Sequence, residues 1–426
     1  MVYIILMLIC FFLLMMIRIP IPFALLASTL IYYFGAHIPI DIVIVRLFRS
    51  FDAFILLAIP FFILAGKIMS EAGISDRLIK VADLIVGRVK GHLAYVNIVV
   101  SMFFGGITGT AISDTTAIGS IMIPSMAKEG YTKSFSAAVT AASSTMGPII
   151  PPSVMFILYG SMAQVSIRDL FIAGAIPGLM IGLAQMTVVK IQAVKYDLPK
   201  RKVKIERAEA KKILKEAFLA LMLPVIILGG ILLGIVSPTE AAVIATFYAG
   251  FIAVCVFQTL SLKKLLYVIR DSAIETGSVS IIIAAAALFG WALSNEQVPS
   301  LFAQMLLDNF SSKWQILLLI NFMLFALGMF MDSIPAILIV TPVFLPLFHM
   351  LGVDPLHAGL FMCVNLCTGL CTPPVGCCIF AASVISEQSL EIISKAVFPF
   401  LLANILVLLL VTYIPGITMF IPSLLN

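Results

Sequence analysis

Two aspartates with similar surroundings are the residues of this chain whose type and spacing best suit chemistry. Asp114 is followed ten residues later by Pro124, and Asp332 is followed ten residues later by Pro342. Both lie in strongly apolar segments, where a carboxylate is costly unless it faces protein, water or an ion. Each aspartate could cap a helix, bind a cation directly or support a cation site, and the sequence leaves these three roles open.

A second duplicated pattern follows each aspartate. Gly147 precedes Pro151–Pro152 by four residues, and Gly369 precedes Pro373–Pro374 by the same distance. Gly and Pro interrupt helices, and an interrupted helix leaves backbone carbonyl and N–H groups without intrahelical partners. Corresponding interruptions in the two halves of an apolar chain are the sequence feature that points to the central binding site of a secondary transporter.

The interruptions are rich in small hydroxylated side chains, which suit sodium and an anion together. Sodium is a hard cation that takes several oxygen ligands, and the free N–H groups at a helix N-terminus suit an anion. The residues that we assign to sodium binding are Gly106, Thr108, Ser113, Asp114, Ser144, Gly147, Asp332, Thr368, Gly369 and Thr372. Those that we assign to the anion are Thr110, Thr115, Thr145, Ser153, Ser333 and Asn365. We predict no cofactor, no catalytic residue and no metal other than Na⁺ as the coupling ion.

Composition indicates the kind of scaffold that holds these residues. The chain is 62% hydrophobic and 11% charged, with a mean hydropathy of +1.17. Such values are typical of a polytopic α-helical membrane protein embedded in a lipid bilayer, and they exclude an ordinary soluble domain. The first apolar run, residues 1–17, lacks the basic start and the cleavage site of a signal peptide, so we expect it to remain as a helix.

Basic residues predict the orientation of the chain in the membrane. The net charge is +5, and residues 195–216 contain nine Lys/Arg and four Asp/Glu, a surplus equal to that of the whole chain. Positive loops favour the cytoplasmic side, whereas residues 296–308 carry acids and no base and are expected outside. Both termini are then predicted to lie outside, on the side opposite the basic loops. A nucleic-acid partner is excluded, because no separate basic domain exists.

Segment lengths predict two re-entrant hairpins. Residues 93–126 begin and end at basic loops, and 34 residues of helix would be about 51 Å long, too long for one crossing and too short for two. A hairpin with its tip at residues 105–116 solves this problem. The same argument predicts a hairpin over about 313–348 with its tip at residues 328–336, and it enters from the other side.

The remaining elements predict an all-α membrane fold with two inverted repeats. Discontinuous helices are expected at about 135–163 and 356–385, and short interfacial helices at 39–52 and 262–271. The first repeat covers residues 1–195, a basic cytoplasmic loop covers 196–216, and the second repeat covers 217–426. In each repeat two spans and an interfacial helix precede a span, a hairpin, a discontinuous helix and a final span.

Four segments carry a resemblance to a known family. They are AIPFFILAGKIMSEAGISDRL (58–78), FFGGITGTAISDTTAIGSIMIPSM (103–126), AASSTMGPIIPPSVMFILYG (141–160) and GMFMDSIPAILIVTPVFLP (328–346). Here the chain resembles the large membrane (M) subunit of tripartite ATP-independent periplasmic (TRAP) transporters of the ion-transporter superfamily.

The resemblance implies a bacterial inner-membrane location with both termini periplasmic, a function and two partners. The function is sodium-driven import of organic acid anions such as sialic acids or C4-dicarboxylates. The partners are a separate four-helix small membrane subunit and a soluble periplasmic binding protein that delivers the solute. It also implies an elevator, in which the hairpins and discontinuous helices form a transport domain that moves against a scaffold. One sodium would lie between the first hairpin tip and the first break, and another between the second pair.

Functions other than that of a TRAP transporter subunit fit the sequence less well. A stand-alone sodium/organic-anion symporter or antiporter of the same architecture remains the alternative. An intramembrane aspartyl protease would need two carboxylates sharing one proton, and it is disfavoured because each aspartate lies on its own hairpin. The chain also lacks His-Glu-x-x-His and Walker A motifs, so we predict that it is not an enzyme.

Overall fold

The computed structural model describes residues 1–200 and 207–425, and this part of the chain consists of helices joined by short turns. The first half contains α1 (Val2–Met16), α2 (Ile21–Gly35), α3 (Ile40–Arg49), α4 (Ala58–Glu71), α5 (Ile74–Val86), α6 (His92–Thr108), α7 (Ala111–Lys128), α8 (Lys133–Ser144), α9 (Val154–Ala163) and α10 (Ile167–Lys195). The second half contains α11 (Arg207–Leu232), α12 (Pro238–Phe251), α13 (Leu262–Asn295), α14 (Val298–Asn309), α15 (Lys313–Phe330), α16 (Ser333–Met350), α17 (Pro355–Gly369), α18 (Cys377–Ser386), α19 (Leu390–Tyr413) and α20 (Pro415–Leu425).

Eight segments of the described chain are long and apolar enough to cross a membrane. α13 is the longest, with 34 residues, and α10 has 29. A helix needs about 20 residues to cross the hydrocarbon core, so the prediction of an all-helical, multi-pass membrane protein is confirmed. Within the segment expected as a basic loop at 196–216, residues 201–206 lie outside the described part, and α11 begins at Arg207.

The two hairpins have tighter connections than the sequence suggested. Only residues 109–110 separate α6 from α7, and only 331–332 separate α15 from α16. The polar residues after the first connection remain helical because their hydroxyls bond to backbone carbonyls one turn earlier. Thr115 donates to the Ala111 carbonyl at 2.9 Å, and Thr116 donates to the Ile112 carbonyl at 3.0 Å.

The two discontinuous helices, α8–α9 and α17–α18, run antiparallel to each other. At one end, Lys133, the first residue of α8, lies 3.2 Å from Glu387, which follows α18. At the other end, the Tyr159 hydroxyl of α9 donates to the carbonyl of Pro355, where α17 begins, at 2.5 Å. The start of each discontinuous helix therefore lies beside the end of the other.

Helices of the two halves interlock around the discontinuous helices. α9 packs against α16 of the second hairpin, and α18 packs against α7 and α8 of the first half. The spans that follow, α10 and α19, also pack against each other. Hairpins and discontinuous helices thus form one block, and α4 and α13 flank it by contacting α6 and α16, respectively.

Charged loops gather at opposite ends of the molecule. At the basic end, Lys264 pairs with Glu71 at 2.9 Å, and Lys90 pairs with Asp197 at 2.5 Å. The hydrogen bond from Lys90 lowers the pKa of the Asp197 carboxyl below its usual value. At the other end, the N-terminal ammonium lies 2.8 Å from Glu296. The chain start and the acidic segment 296–308 therefore lie on one side.

The two predicted interfacial helices differ in the structure. α3 is a separate helix that ends at Arg49, five residues before the start of a short 3₁₀ turn over Phe54–Leu57. Residues 262–271, in contrast, form the first turns of the continuous helix α13. The expectation of a separate second interfacial helix is wrong. No Pro lies between Asp271 and Gly277, and α13 continues without interruption through these residues.

Candidate functional site

The first hairpin touches the first discontinuous helix through two glycines. A Cβ atom on Gly105 would lie 2.6 Å from the Cα of Gly147, and one on Gly106 would lie 2.7 Å from the Pro151 carbonyl oxygen. No other residue type allows backbones to approach this closely. We call this contact, between residues 105–114 and residues 144–153, the first junction.

The second hairpin meets the second discontinuous helix in the same way. A Cβ atom on Gly369 would lie 2.6 Å from the Cα of Gly328. The Gly376 N–H also donates to the Met329 carbonyl at 3.1 Å, so a backbone hydrogen bond crosses this contact. We call the contact between residues 328–333 and residues 366–376 the second junction. The Pro-Pro peptide bonds of both junctions are cis.

Asp114 is the most unusual residue of the first junction. It lies in the first turn of α7, its side chain is 0% exposed, and neither carboxylate oxygen has a hydrogen-bond partner among the described residues. The hydroxyls of Ser144 and Ser101 are its polar neighbours and stabilise its charge, although neither is in good hydrogen-bonding geometry with a carboxylate oxygen. Buried charged groups normally have a hydrogen-bond or charge partner, so this carboxylate could bind a cation or a hydrogen-bond donor.

A buried polar cluster continues from Asp114 between α6 and α8. The Asn97 side-chain amide donates to the Thr140 hydroxyl at 2.7 Å, and the hydroxyls of Ser101 and Ser143 lie 3.0 Å apart. Ser144 donates to the Thr140 carbonyl at 2.8 Å, which leaves the lone pairs of its oxygen available. Oxygen atoms of this kind are suitable ligands for a hard cation.

Asp332 occupies a different position at the second junction. It is the N-cap of α16, and its Oδ1 accepts a hydrogen bond from the Ser333 N–H at 2.7 Å. The Ser333 hydroxyl approaches the same oxygen at 3.3 Å. The side chain is partly exposed. Of the roles left open by the sequence, helix capping is the one that the structure displays for Asp332.

Hydroxyls in the first break also fix the backbone. Ser153 caps α9 by accepting the Phe156 N–H at 3.2 Å, and its own hydroxyl donates to the Pro148 carbonyl. Thr145 donates to the Ala142 carbonyl at 2.7 Å. The break is therefore a defined structure, and the N-terminus of α9 points its free N–H groups toward the first junction.

Hydroxyls of the second junction bond within their own helix. Thr368 donates to the Val364 carbonyl at 2.8 Å, and Thr372 donates to the Thr368 carbonyl at 3.0 Å. Next to them, the Cys371 thiol donates to that same Thr368 carbonyl at 3.2 Å. Thiols partly replace hydroxyls here, so the second junction offers fewer hard oxygen ligands than the first.

Two of the assigned residues lie away from the junctions. Asn365 is buried between α15 and α17, where its amide donates to the backbone and side-chain oxygens of Asn321 at 2.9 and 2.6 Å. Thr115 lies beside Cys378 of α18. The structure brings the other fourteen assigned residues to one junction or the other.

Sequence reasoning missed a pair of amides that joins the two breaks. Gln185 of α10 donates to the side-chain oxygen of Asn404 of α19 at 2.9 Å. The Asn404 amide in turn lies 3.3 Å from the Thr145 hydroxyl and 3.9 Å from the Cys371 sulfur. All four side chains are buried. The available signal for both residues was a polar amide within a mostly apolar span.

A cavity of about 310 Å³ opens beside the first junction. Of the assigned residues, Thr108 and Ser113 line it, together with Lys67 and Glu275. Lys67 stands near the end of α4, where a lysine usually reaches toward the membrane surface. Here it forms an ion pair of 2.8 Å with Glu275 instead.

Comparison with known proteins places this architecture in a family. Residues 8–417 match the family model of the tripartite ATP-independent periplasmic transporter, DctM component. The chain is 40% identical to the isethionate TRAP transporter permease protein DctMQ of Oleidesulfovibrio alaskensis, over 96% of this chain and 65% of that protein. It is 37% identical to the sialic acid TRAP transporter large permease protein SiaM of Vibrio cholerae, over 89% of this chain and 88% of that one.

A solved structure shares the fold at low sequence similarity. The YdaH transporter of Alcanivorax borkumensis superposes with a TM-score of 0.62 at 16% identity, covering 88% of each chain. This likeness supports the helical transporter architecture alone. The family match over nearly the whole sequence, in contrast, confirms the resemblance and the prediction that the chain is not an enzyme. The chain belongs to the DctM family of tripartite ATP-independent periplasmic transporter components.

Proposed function

We propose that this chain is the subunit of a sodium-coupled secondary transporter that carries organic acid anions through an inner membrane. The anion is of the sialic acid or C4-dicarboxylate type and is delivered by a periplasmic binding protein. A four-helix small membrane subunit, as a separate chain, completes the complex. Two relatives, 40% and 37% identical to this chain, are named as isethionate and sialic acid transporter proteins. Both solutes are small organic anions, which supports this substrate class.

The observation that carries the proposal is the environment of Asp114. A fully buried carboxylate is very unfavourable when its desolvation is offset only in part, here by the neighbouring Ser144 and Ser101 hydroxyls. A sodium ion at the first junction would compensate this charge. Its further oxygen ligands would come from the Ser144 and Thr108 hydroxyls and from backbone carbonyls beside Gly147. A second sodium at the second junction would rely more on carbonyls, since Asp332 already caps α16.

The anion is best placed beside the sodium of the first junction. α9 presents free N–H groups and the positive end of its dipole there, and these attract a carboxylate or sulfonate. Thr110 and Ser153 flank this N-terminus, and the cavity of about 310 Å³ lies next to Thr108. Sodium binding and anion binding are then coupled electrostatically, because a cation and an anion in one site stabilise each other's binding.

The packing supports inverted repeats and an elevator motion. The antiparallel discontinuous helices and the reciprocal contacts of α9 with α16 and α18 with α7 are what two inverted copies would make. Both flanking helices meet the central block at a glycine: Gly66 approaches the Ile107 carbonyl and Gly290 approaches Pro342. Contacts at glycine have no side chain that interlocks the two helices, which suits a block that slides as one body. With the basic end cytoplasmic, the N-terminus beside Glu296 is periplasmic.

Reconstitution in liposomes tests the proposal. The chain is combined with candidate small subunits and binding proteins, and organic acids are scanned with and without an inward sodium gradient. We expect uptake only when both partners and the gradient are present. Uptake that persists without the binding protein would favour a stand-alone symporter, and uptake that ignores the gradient would contradict sodium coupling.

A further inference from the structure

A cavity beside the first junction contains a lysine that the sodium and anion sites do not use. The cavity, of about 310 Å³, lies between α4, the first hairpin and α13, and this volume is typical of a small-molecule site. Its polar lining consists of Lys67, Ser70, Thr108, Ser113, Thr116 and Glu275. One wall therefore belongs to the block that we propose to move, and the other to the flanking helices.

Lys67 is the cationic member of this lining. Its ammonium lies 2.8 Å from Glu275 Oε2 and donates to the Asp271 carbonyl at 2.8 Å. About a third of each charged side chain remains accessible, 32% for Lys67 and 33% for Glu275. A lysine ammonium has three donors, and these two contacts leave one for a ligand in the cavity. Charged residues within membrane segments commonly mark the pathway of a substrate or ion.

We propose that Lys67 is the charge partner of the transported organic anion in this cavity, and that Glu275 holds the ammonium there when the solute is absent. This inference rests on the proposed function and adds to it a specific anion-binding residue. The ligand class is a small acid with a carboxylate or sulfonate group, because its negative oxygens replace those of Glu275.

The geometry brings Lys67 close to the first junction. The preceding residue, Gly66, lets α4 approach the hairpin so closely that a Cβ there would lie 2.9 Å from the Ile107 carbonyl oxygen. Thr108 belongs both to this cavity and to the first junction. An anion that leaves the N-terminus of α9 thus meets the hydroxyls of Thr108, Ser113 and Thr116 on the cavity wall before it reaches the ammonium.

Three variants separate anion binding from a purely structural ion pair. The probes are succinate, N-acetylneuraminate and isethionate, and the readout is KM and maximal rate of sodium-driven uptake by the reconstituted complex. We expect K67Q to raise KM at least tenfold with a maximal rate within twofold of wild type. E275Q frees the ammonium and should lower KM about twofold. The double variant K67Q/E275Q should keep the high KM of K67Q.

If Lys67 and Glu275 form only a structural ion pair, the three variants should show a different pattern of uptake. In that case K67Q and E275Q would be similarly impaired, and the neutral double variant would recover, because no charge is left unpaired. That result would overturn the proposal. Lys264→Gln is the matched control, because Lys264 also pairs α13 with α4 through Glu71 but does not line this cavity; its KM should equal that of wild type. Absence of uptake of every probe by the wild-type complex would count against the proposed function, and this inference would fall with it.

Discussion

The two junctions share their backbone geometry but differ in their chemistry. In each, a glycine of the hairpin touches a glycine of the break, Gly105 with Gly147 and Gly328 with Gly369. Yet Asp114 is buried without a hydrogen-bond partner among the described residues, whereas Asp332 caps a helix. The backbone therefore repeats, and the electrostatic environment does not. We infer that the first junction depends on a bound cation much more than the second.

Filling the first junction has the largest expected effect. Thr108→Leu or Ser144→Leu should reduce sodium-driven uptake below detection, because a bulky side chain occupies the space between hairpin and break. Assembly with the small subunit should remain intact in co-purification. Ser120→Leu, at an exposed position of α7, is the control and should transport normally. Transport by the Ser144 variant at the wild-type rate would contradict the position of the site.

Neutralising the two aspartates tests the difference between the junctions. Asp114→Asn should lower uptake at least a hundredfold, since the amide lacks the charge that a sodium ion needs. Asp332→Asn should lower uptake less than tenfold, because asparagine is a good N-cap and retains the contact with Ser333. The measurement is the initial rate at several sodium concentrations. Equal losses in both variants would show that the junctions are chemically equivalent.

Adding a methyl group at the shared glycine contacts tests their similarity. Gly105→Ala and Gly328→Ala should each destabilise the protein by about 1–3 kcal/mol through overpacking. The cause is a Cβ within 2.6 Å of Gly147 Cα in one case and 2.7 Å of the Leu366 carbonyl in the other. Gly277→Ala meets nothing within 4 Å and should be neutral or stabilising. Thermal unfolding in detergent measures all three, and an unaffected Gly328 variant would break the similarity.

The amides that join the junctions carry the smallest expected effect. Gln185→Leu and Asn404→Leu should each cost about 1 kcal/mol, typical of hydrogen bonds between membrane helices. A double-mutant cycle by thermal unfolding should show a coupling energy of about 0.5 kcal/mol or more. Strict additivity would mean that the hydrogen bond between the two side chains contributes nothing.

The sequence predicts the helical membrane fold because segment length and basic loops constrain it. Helix pairs lie over His92–Lys128 and Lys313–Met350, close to the intervals that length arithmetic gave for the hairpins. The expected tip regions were too long, because Thr115 and Thr116 bond back to their own helix. A hydroxyl-rich sequence favours a helix interruption, but it does not show whether the backbone actually leaves the helical conformation.

Other features could not be predicted because they depend on contacts between distant helices. Gln185 and Asn404 lie in different spans, and no spacing in the sequence relates them. Likewise, Lys67 is 208 residues from Glu275, so their ion pair follows from the packing of α4 against α13. The different roles of Asp114 and Asp332 were also hidden, because the proline ten residues after each one does not show where its helix begins.

Direct binding of radioactive sodium to the purified complex tests the central claim, that Asp114 holds a coupling ion at the first junction. The number of ions bound per chain at saturation is measured for wild type, Asp114→Asn and Asp332→Asn. We predict that Asp114→Asn binds one ion fewer than wild type, while Asp332→Asn binds the wild-type number. An unchanged number of bound ions in Asp114→Asn, at unchanged affinity, would contradict the account.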